Sequence, residues 1–157
     1  MSAAASTSAA VLTYLAFDYG AKRVGVACGN SQTRQAQPLQ TIAAEGAQRF
    51  DRIAQLVAEW QPAALVVGVP FHPDGAEHEN TARARKFGRQ LCGRFHLPVH
   101  EVDERYSTTE AIAQGARDLD AASAAILLQQ YFDAMDAAGA HGISVTLGTA
   151  PPTERPA

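Results

Sequence analysis

Four carboxylates stand at points where the chain changes direction. Asp18 ends an apolar run in Phe17-Asp18-Tyr19-Gly20. Asp103 and Glu104 are adjacent in Val102-Asp103-Glu104-Arg105, and Asp120 precedes Ala121-Ala122-Ser123-Ala124. Carboxylate oxygens are hard donors, so acids that converge would suit Mg²⁺ or Mn²⁺. Two such ions can activate a water and stabilise both the attacking and the leaving oxygen of a phosphodiester. Each acid alone has a plainer reading. Asp18 would cap a turn, Asp103 and Glu104 would be a solvated charge run, and Asp120 would be the N-cap of a helix. Neighbouring strand residues face opposite sides, so only one of Asp103 and Glu104 can look toward Asp18.

The elements that must position these acids follow from hydrophobic spacing. Residues 14–19 and 24–28 read as two strands joined by a Gly-containing turn, a hairpin signal. A third strand over 36–42 contains Pro38, which suits a sheet edge. Phe50, Ile53, Ala54, Val57 and Trp60 recur at helical intervals and Pro62 follows, so a helix ends there. Residues 64–69, Ala-Leu-Val-Val-Gly-Val, read as a strand buried on both faces. A helix over 79–94, a strand over 98–102 and a helix from about 120 complete the series. Strands alternating with helices imply parallel pairing, with helices covering the sheet. The expectation is an α/β fold with a five-stranded mixed sheet. Its first three strands should be antiparallel, and its fourth and fifth parallel to the first. Ligands in such sheets collect beyond the carboxyl ends of the strands, where Asp18 and the Asp103-Glu104 pair stand.

The 157 residues suffice for one core. Residues 11–136 form the expected working domain, residues 1–10 a disordered leader, and residues 137–157, rich in Gly, Pro and Thr, a flexible tail. Cys28 and Cys92 are too few for a four-cysteine zinc site and read as free thiols in a reducing compartment, the cytoplasm. No run is long enough to span a membrane, so no membrane partner is expected. A net charge of −3 weighs against indiscriminate nucleic-acid binding but permits a local basic patch. One such patch is Arg83, Arg85, Lys86, Arg89 and Arg94, a stretch without an acid. If Ala84, Phe87 and Leu91 face the core, Arg85, Lys86 and Arg89 point outward toward phosphates. Lys22 and Arg23 lie beside Asp18 and read either as bases that hold a phosphate there or simply as hairpin-turn residues. His72 and His78 lack the further ligands zinc requires and read as loop residues.

Five segments, in order, resemble the YqgF/RuvX family. They are Asp18-Tyr-Gly-Ala-Lys-Arg-Val-Gly-Val-Ala27, Val66-Val-Gly-Val-Pro70 with Asp74-Gly75, Thr81-Ala-Arg-Ala-Arg-Lys-Phe87, Asp103-Glu-Arg-Tyr-Ser-Thr-Thr-Glu-Ala111 and Asp120-Ala-Ala-Ser-Ala-Ala-Ile-Leu-Leu-Gln129. The resemblance covers nearly all of residues 14–132. It implies an RNase H-like fold and a metal-dependent nuclease acting in 5′-end maturation of the small-subunit ribosomal RNA precursor. A Holliday-junction resolvase role has also been suggested for the family. Carried over, Asp18, Glu104 and Asp120 are the catalytic acids and metal ligands, with Asp103 in reserve for the middle position. One departure is the short stretch 111–119, whose only base is Arg117. It favours a competing reading, a non-catalytic nucleic-acid-binding module of ribosome assembly or transcription. A fragment of the actin-like ATPase superfamily also carries an Asp-x-Gly hairpin, but that fold needs two domains around its nucleotide.

Overall fold

The computed structural model describes residues 11–72, 74–103, 119–138 and 146–147. Strands β1 (Thr13–Asp18), β2 (Val24–Asn30) and β3 (Gln37–Ile42) are followed by helix α1 (Gly46–Trp60) and strand β4 (Ala64–Val69). Helix α2 (Thr81–Phe95), strand β5 (Val99–Asp103), helix α3 (Leu119–Ala138) and strand β6 (Thr146–Leu147) complete the chain. The sheet order is β3-β2-β1-β4-β5-β6. β1 to β3 pair antiparallel, and β4 and β5 run parallel to β1. The five expected strands are present in the expected directions. A sixth, β6, was not expected. Its two residues lie in the segment read as a tail and pair antiparallel with Val99 and His100, covering part of the outer edge of β5. α3 likewise runs two residues past position 136.

Alternation along the strands sorts two cores. Leu15, Phe17, Val24, Val26, Leu65, Val67 and Val99 face α1 and α2, where Phe50, Ile53, Leu56, Phe87 and Leu91 meet them. Tyr14, Ala16, Ala27, Ala64 and Val66 face α3 and its Ala124, Leu128, Tyr131 and Phe132. Every residue of β4 is buried, because helices cover both of its faces. Each fully buried Leu or Val contributes about 1.5–3 kcal/mol relative to exposure, so this run anchors the sheet around which the acids are arranged. α1 and α2 stop at Gln61 and His96, both in the left-handed region, whose N–H groups donate to Val57 and Cys92 carbonyls. Pro62 follows the first of these caps, as helix-terminating prolines commonly do.

Candidate active site

Asp18 is the last residue of β1, and its partner across the hairpin is Gly25. Alternation from Tyr14 and Ala16 puts Asp18 on the α3 face. On the same face, β2 presents Gly25, Ala27 and Gly29, while the bulky Val24, Val26 and Cys28 point the other way. This flat stripe lets α3 press close. A Cβ at Gly29 would stand 2.8 Å from the Phe132 ring, and one at Gly25 would stand 1.8 Å from the Asp120 carbonyl oxygen. The first turn of α3, which carries Asp120, therefore rests on the residue paired with Asp18. Side chains directly opposite in an antiparallel pair have Cβ atoms about 5 Å apart, so Asp18 and Asp120 are neighbours at one corner of the sheet. Asp120 lies one residue inside the helix rather than at its cap. Both side chains are half-buried.

The hairpin loop adds a cation. Arg23 Nε lies 2.8 Å from Asp120 Oδ2. The loop backbone is tight, since a Cβ at Gly20 would stand 2.5 Å from the Arg23 carbonyl oxygen. It is braced from α1 by Arg49, a buried residue whose Nε donates to the Ala44 carbonyl and whose Nη2 donates to that of Ala21. The Arg49 guanidinium also sits 5.6 Å from the Tyr19 ring centre. Lys22 is exposed on the same loop. Neither Arg49 nor Gly25 stood out in the sequence as a functional residue. A glycine inside a strand does signal close approach of another backbone, but an arginine that braces a distant loop leaves no local mark.

The middle acid divides. Glu101 of β5 pairs with Arg85 of α2 at 3.6 Å, so odd positions of β5 face α2, together with Val99. Asp103 shares that parity and points away from the Asp18 face. Val102 packs on the α3 side. Glu104 lies outside the described residues, as do Arg105, Tyr106 and residues 111–118. Among the described residues no three His, Cys, Asp or Glu side chains gather closely enough to hold a metal ion. Asp18 and Asp120 offer hard oxygen donors, and Asp120 is already paired with a cation, the Arg23 guanidinium. The donor set fits Mg²⁺ or Mn²⁺.

The segment after β4 turns beside this corner, because β4 lies between β1 and β5. Thr81, fully buried, donates from Oγ1 to the Pro70 carbonyl and accepts from His78 N–H. Asp74 Oδ1 accepts from Ala76 N–H, and Gly75 takes a φ of 93°. The His72 and His78 rings stack with centroids 5.0 Å apart. On α2, Ala84, Phe87 and Leu91 face the core as expected. Lys86 and Arg89 are exposed, whereas Arg83 donates to Asn80 Oδ1. Arg85 is half-buried, lies 3.9 Å from Glu77 and 3.6 Å from Glu101, and covers the Phe71 ring. Arg94 lies over the Phe50 ring.

A family model described as "RuvX: Holliday junction resolvase" matches residues 12–134. A protein of Albidiferax ferrireducens named "Putative pre-16S rRNA nuclease" is 66% identical over 119 residues, covering 76% of each chain. A Paraburkholderia phytofirmans protein of the same name is 57% identical over 130 residues, covering 78% of this chain and 89% of its own length. Among solved structures, Thermus thermophilus RuvC in complex with Holliday junction substrate aligns with a TM-score of 0.52 at 16% identity, over 80% of this chain and 96% of RuvC. At that identity the likeness shows the fold, which is RNase H-like. The chain belongs to the RuvX (YqgF) family, a nuclease family built on this fold.

Proposed function

We propose that this protein is a cytoplasmic, divalent-cation-dependent endonuclease that matures the 5′ end of pre-16S rRNA in ribosome biogenesis. The observation that carries this reading is the contact of the Asp120 backbone with Gly25, which brings Asp120 beside Asp18 at the carboxyl end of β1. Asp18, Asp120 and Glu104 would hold Mg²⁺ or Mn²⁺, and such ions supply a nucleophilic water and charge stabilisation at the phosphate. Strand β1 and the first turn of α3 set Asp18 and Asp120, both half-buried, at one corner of the sheet. Lys22 and Arg23 on the adjacent loop would steer a phosphate, and the exposed Arg83, Lys86 and Arg89 of α2 would supply further phosphate contacts, whereas Arg85 is engaged by Glu77 and Glu101. Asp103, on the opposite sheet face by its parity, is the weaker choice for the middle acid. The names of the relatives support pre-16S rRNA as substrate.

A second reading, cleavage of branched DNA, is favoured by the family description and by the fold shared with junction-bound RuvC. The experiment is cleavage of pre-16S rRNA and of a four-way DNA junction by the full chain in Mn²⁺, with Asp120→Asn and a chelator as controls. The expected result is cut RNA, reduced by roughly 10²-fold or more in the variant, the usual cost of losing reactive geometry. Cleavage that survives both controls would overturn the assignment. Cutting of the junction alone would move it to the second reading. Ribosome-assembly or transcription factors would be partners that deliver the RNA.

A further inference from the structure

We propose that Arg23 is a displaceable counter-cation of Asp120. It holds Asp120 in the metal-free protein, releases it when a divalent cation binds, and then presents its guanidinium to a substrate phosphate. This rests on the nuclease reading above.

The Gly25 contact sets the Asp120 backbone against the strand residue paired with Asp18, so the first turn of α3 starts beside Asp18. A half-buried carboxylate such as that of Asp120 is held ionised by a positive charge beside it. Arg23 supplies that charge at 2.8 Å, through Nε and one carboxylate oxygen. The two partners are not equally enclosed. The Asp120 side chain is 31% exposed and that of Arg23 is 62% exposed, so the guanidinium reaches in from solvent. Exposed ion pairs of this kind are weak, and a dication carries twice the charge. Release needs no movement of the loop. Gly20 and Arg49 pin its backbone, and only the long Arg23 side chain has to rotate. Once outward, the planar guanidinium fork matches two phosphate oxygens. Metal entry would thus uncover a phosphate-binding group beside the metal.

The test is calorimetric titration of wild type, Arg23→Gln and Arg23→Lys with Mn²⁺ alone, alongside melting of the metal-free proteins. Removing a positive charge several ångströms from the dication should tighten Mn²⁺ binding roughly fivefold in Arg23→Gln. The same variant should melt at a slightly lower temperature without metal, because Asp120 loses its ion pair. Arg23→Lys keeps the charge and should stay near wild type in both measurements. For a short RNA, Ca²⁺ should steepen the salt dependence of binding by about one counterion in wild type but not in Arg23→Gln. Equal or weaker Mn²⁺ binding by Arg23→Gln would overturn the proposal while leaving the metal site intact, provided Asp120→Asn abolishes the heat. Wild type that takes up no Mn²⁺ would overturn this proposal and the nuclease reading together.

Discussion

The carbonyl oxygen of Asp120 occupies the space where a Cβ on Gly25 would be, 1.8 Å from that position. Alanine at Gly25 must push the start of α3 off the sheet, since the opposing atom is backbone and cannot rotate away. Gly25→Ala should cost about 3 kcal/mol, the upper range for overpacking, and should weaken Mn²⁺ binding because Asp120 moves with the helix. Gly93→Ala is the matched control. Nothing lies within 4 Å of its added methyl, and alanine is the better helix former, so it should stabilise by about 1 kcal/mol. Urea unfolding measures both. Equal stability of Gly25→Ala and wild type would show that Asp120 is not held against β2.

The α2 bases divide by their neighbours. Lys86 and Arg89 are exposed, so Lys86→Ala with Arg89→Ala should lower RNA affinity and reduce the slope of log K against log salt by about 1–2. Arg85 lies against Glu77, Glu101 and Phe71. Arg85→Ala should therefore loosen the packing of α2 on β5 and lower the unfolding midpoint, with little change in slope. A steep loss of salt dependence in Arg85→Ala alone would reverse these roles.

How far the sequence foretold this arrangement depends on the range of each signal. The buried run of β4 was legible to the residue, because an apolar stretch closed by Pro70 has few other uses. The hairpin was legible from its Gly-containing turn. The alternation of Gly25, Ala27 and Gly29 with Val24, Val26 and Cys28 was also present in the sequence. It marks a strand with one flat face, yet only the packed helix shows what lies on it. Arg49 was not legible. Its two acceptors are five and 28 residues away, and a helical arginine reads as solvated until the loop is folded over it. The pairing of Arg23 with Asp120 joins opposite ends of the domain and follows only from the sheet order. Strand parity separates Asp103 from the site face, a distinction open from sequence once Glu101 and Val102 had known sides.

His100 provides a pH-dependent prediction. Its ring lies 5.2 Å from that of Tyr131, and burial lowers its pKa below the ordinary 6.5. The Tyr131 hydroxyl, pushed up to about 12 by burial and then by Tyr14, stays neutral throughout. Between the folded value and 6.5 the unfolded chain binds a proton that the folded chain resists. Stability from this group is therefore complete above 6.5, falls as pH drops through that value, and levels below the folded pKa. His100→Gln removes this component. Urea unfolding from about pH 8 to about pH 5 should show wild type losing more stability than the variant. Parallel curves would mean that His100 titrates alike in both states.

Asp18→Asn tests the site most sharply, because shape is kept while charge is lost. Asp18 lies beside Asp120 across the Gly25 register position. Removing one of two adjacent negative charges relieves repulsion, so the metal-free variant should be as stable as wild type or more so. Its affinity for Mn²⁺ should fall, since a hard dication prefers an anionic oxygen to an amide. Cleavage should fall further, by roughly 10²-fold or more, as water and phosphate lose their alignment. A turn-capping role makes the opposite forecast, with stability reduced and metal-dependent cutting unchanged. Thermal melting without metal and single-turnover cleavage in saturating Mn²⁺ separate the two. Cutting at the wild-type rate by Asp18→Asn would remove Asp18 from the catalytic set, and a large loss of stability without metal would make it a structural acid.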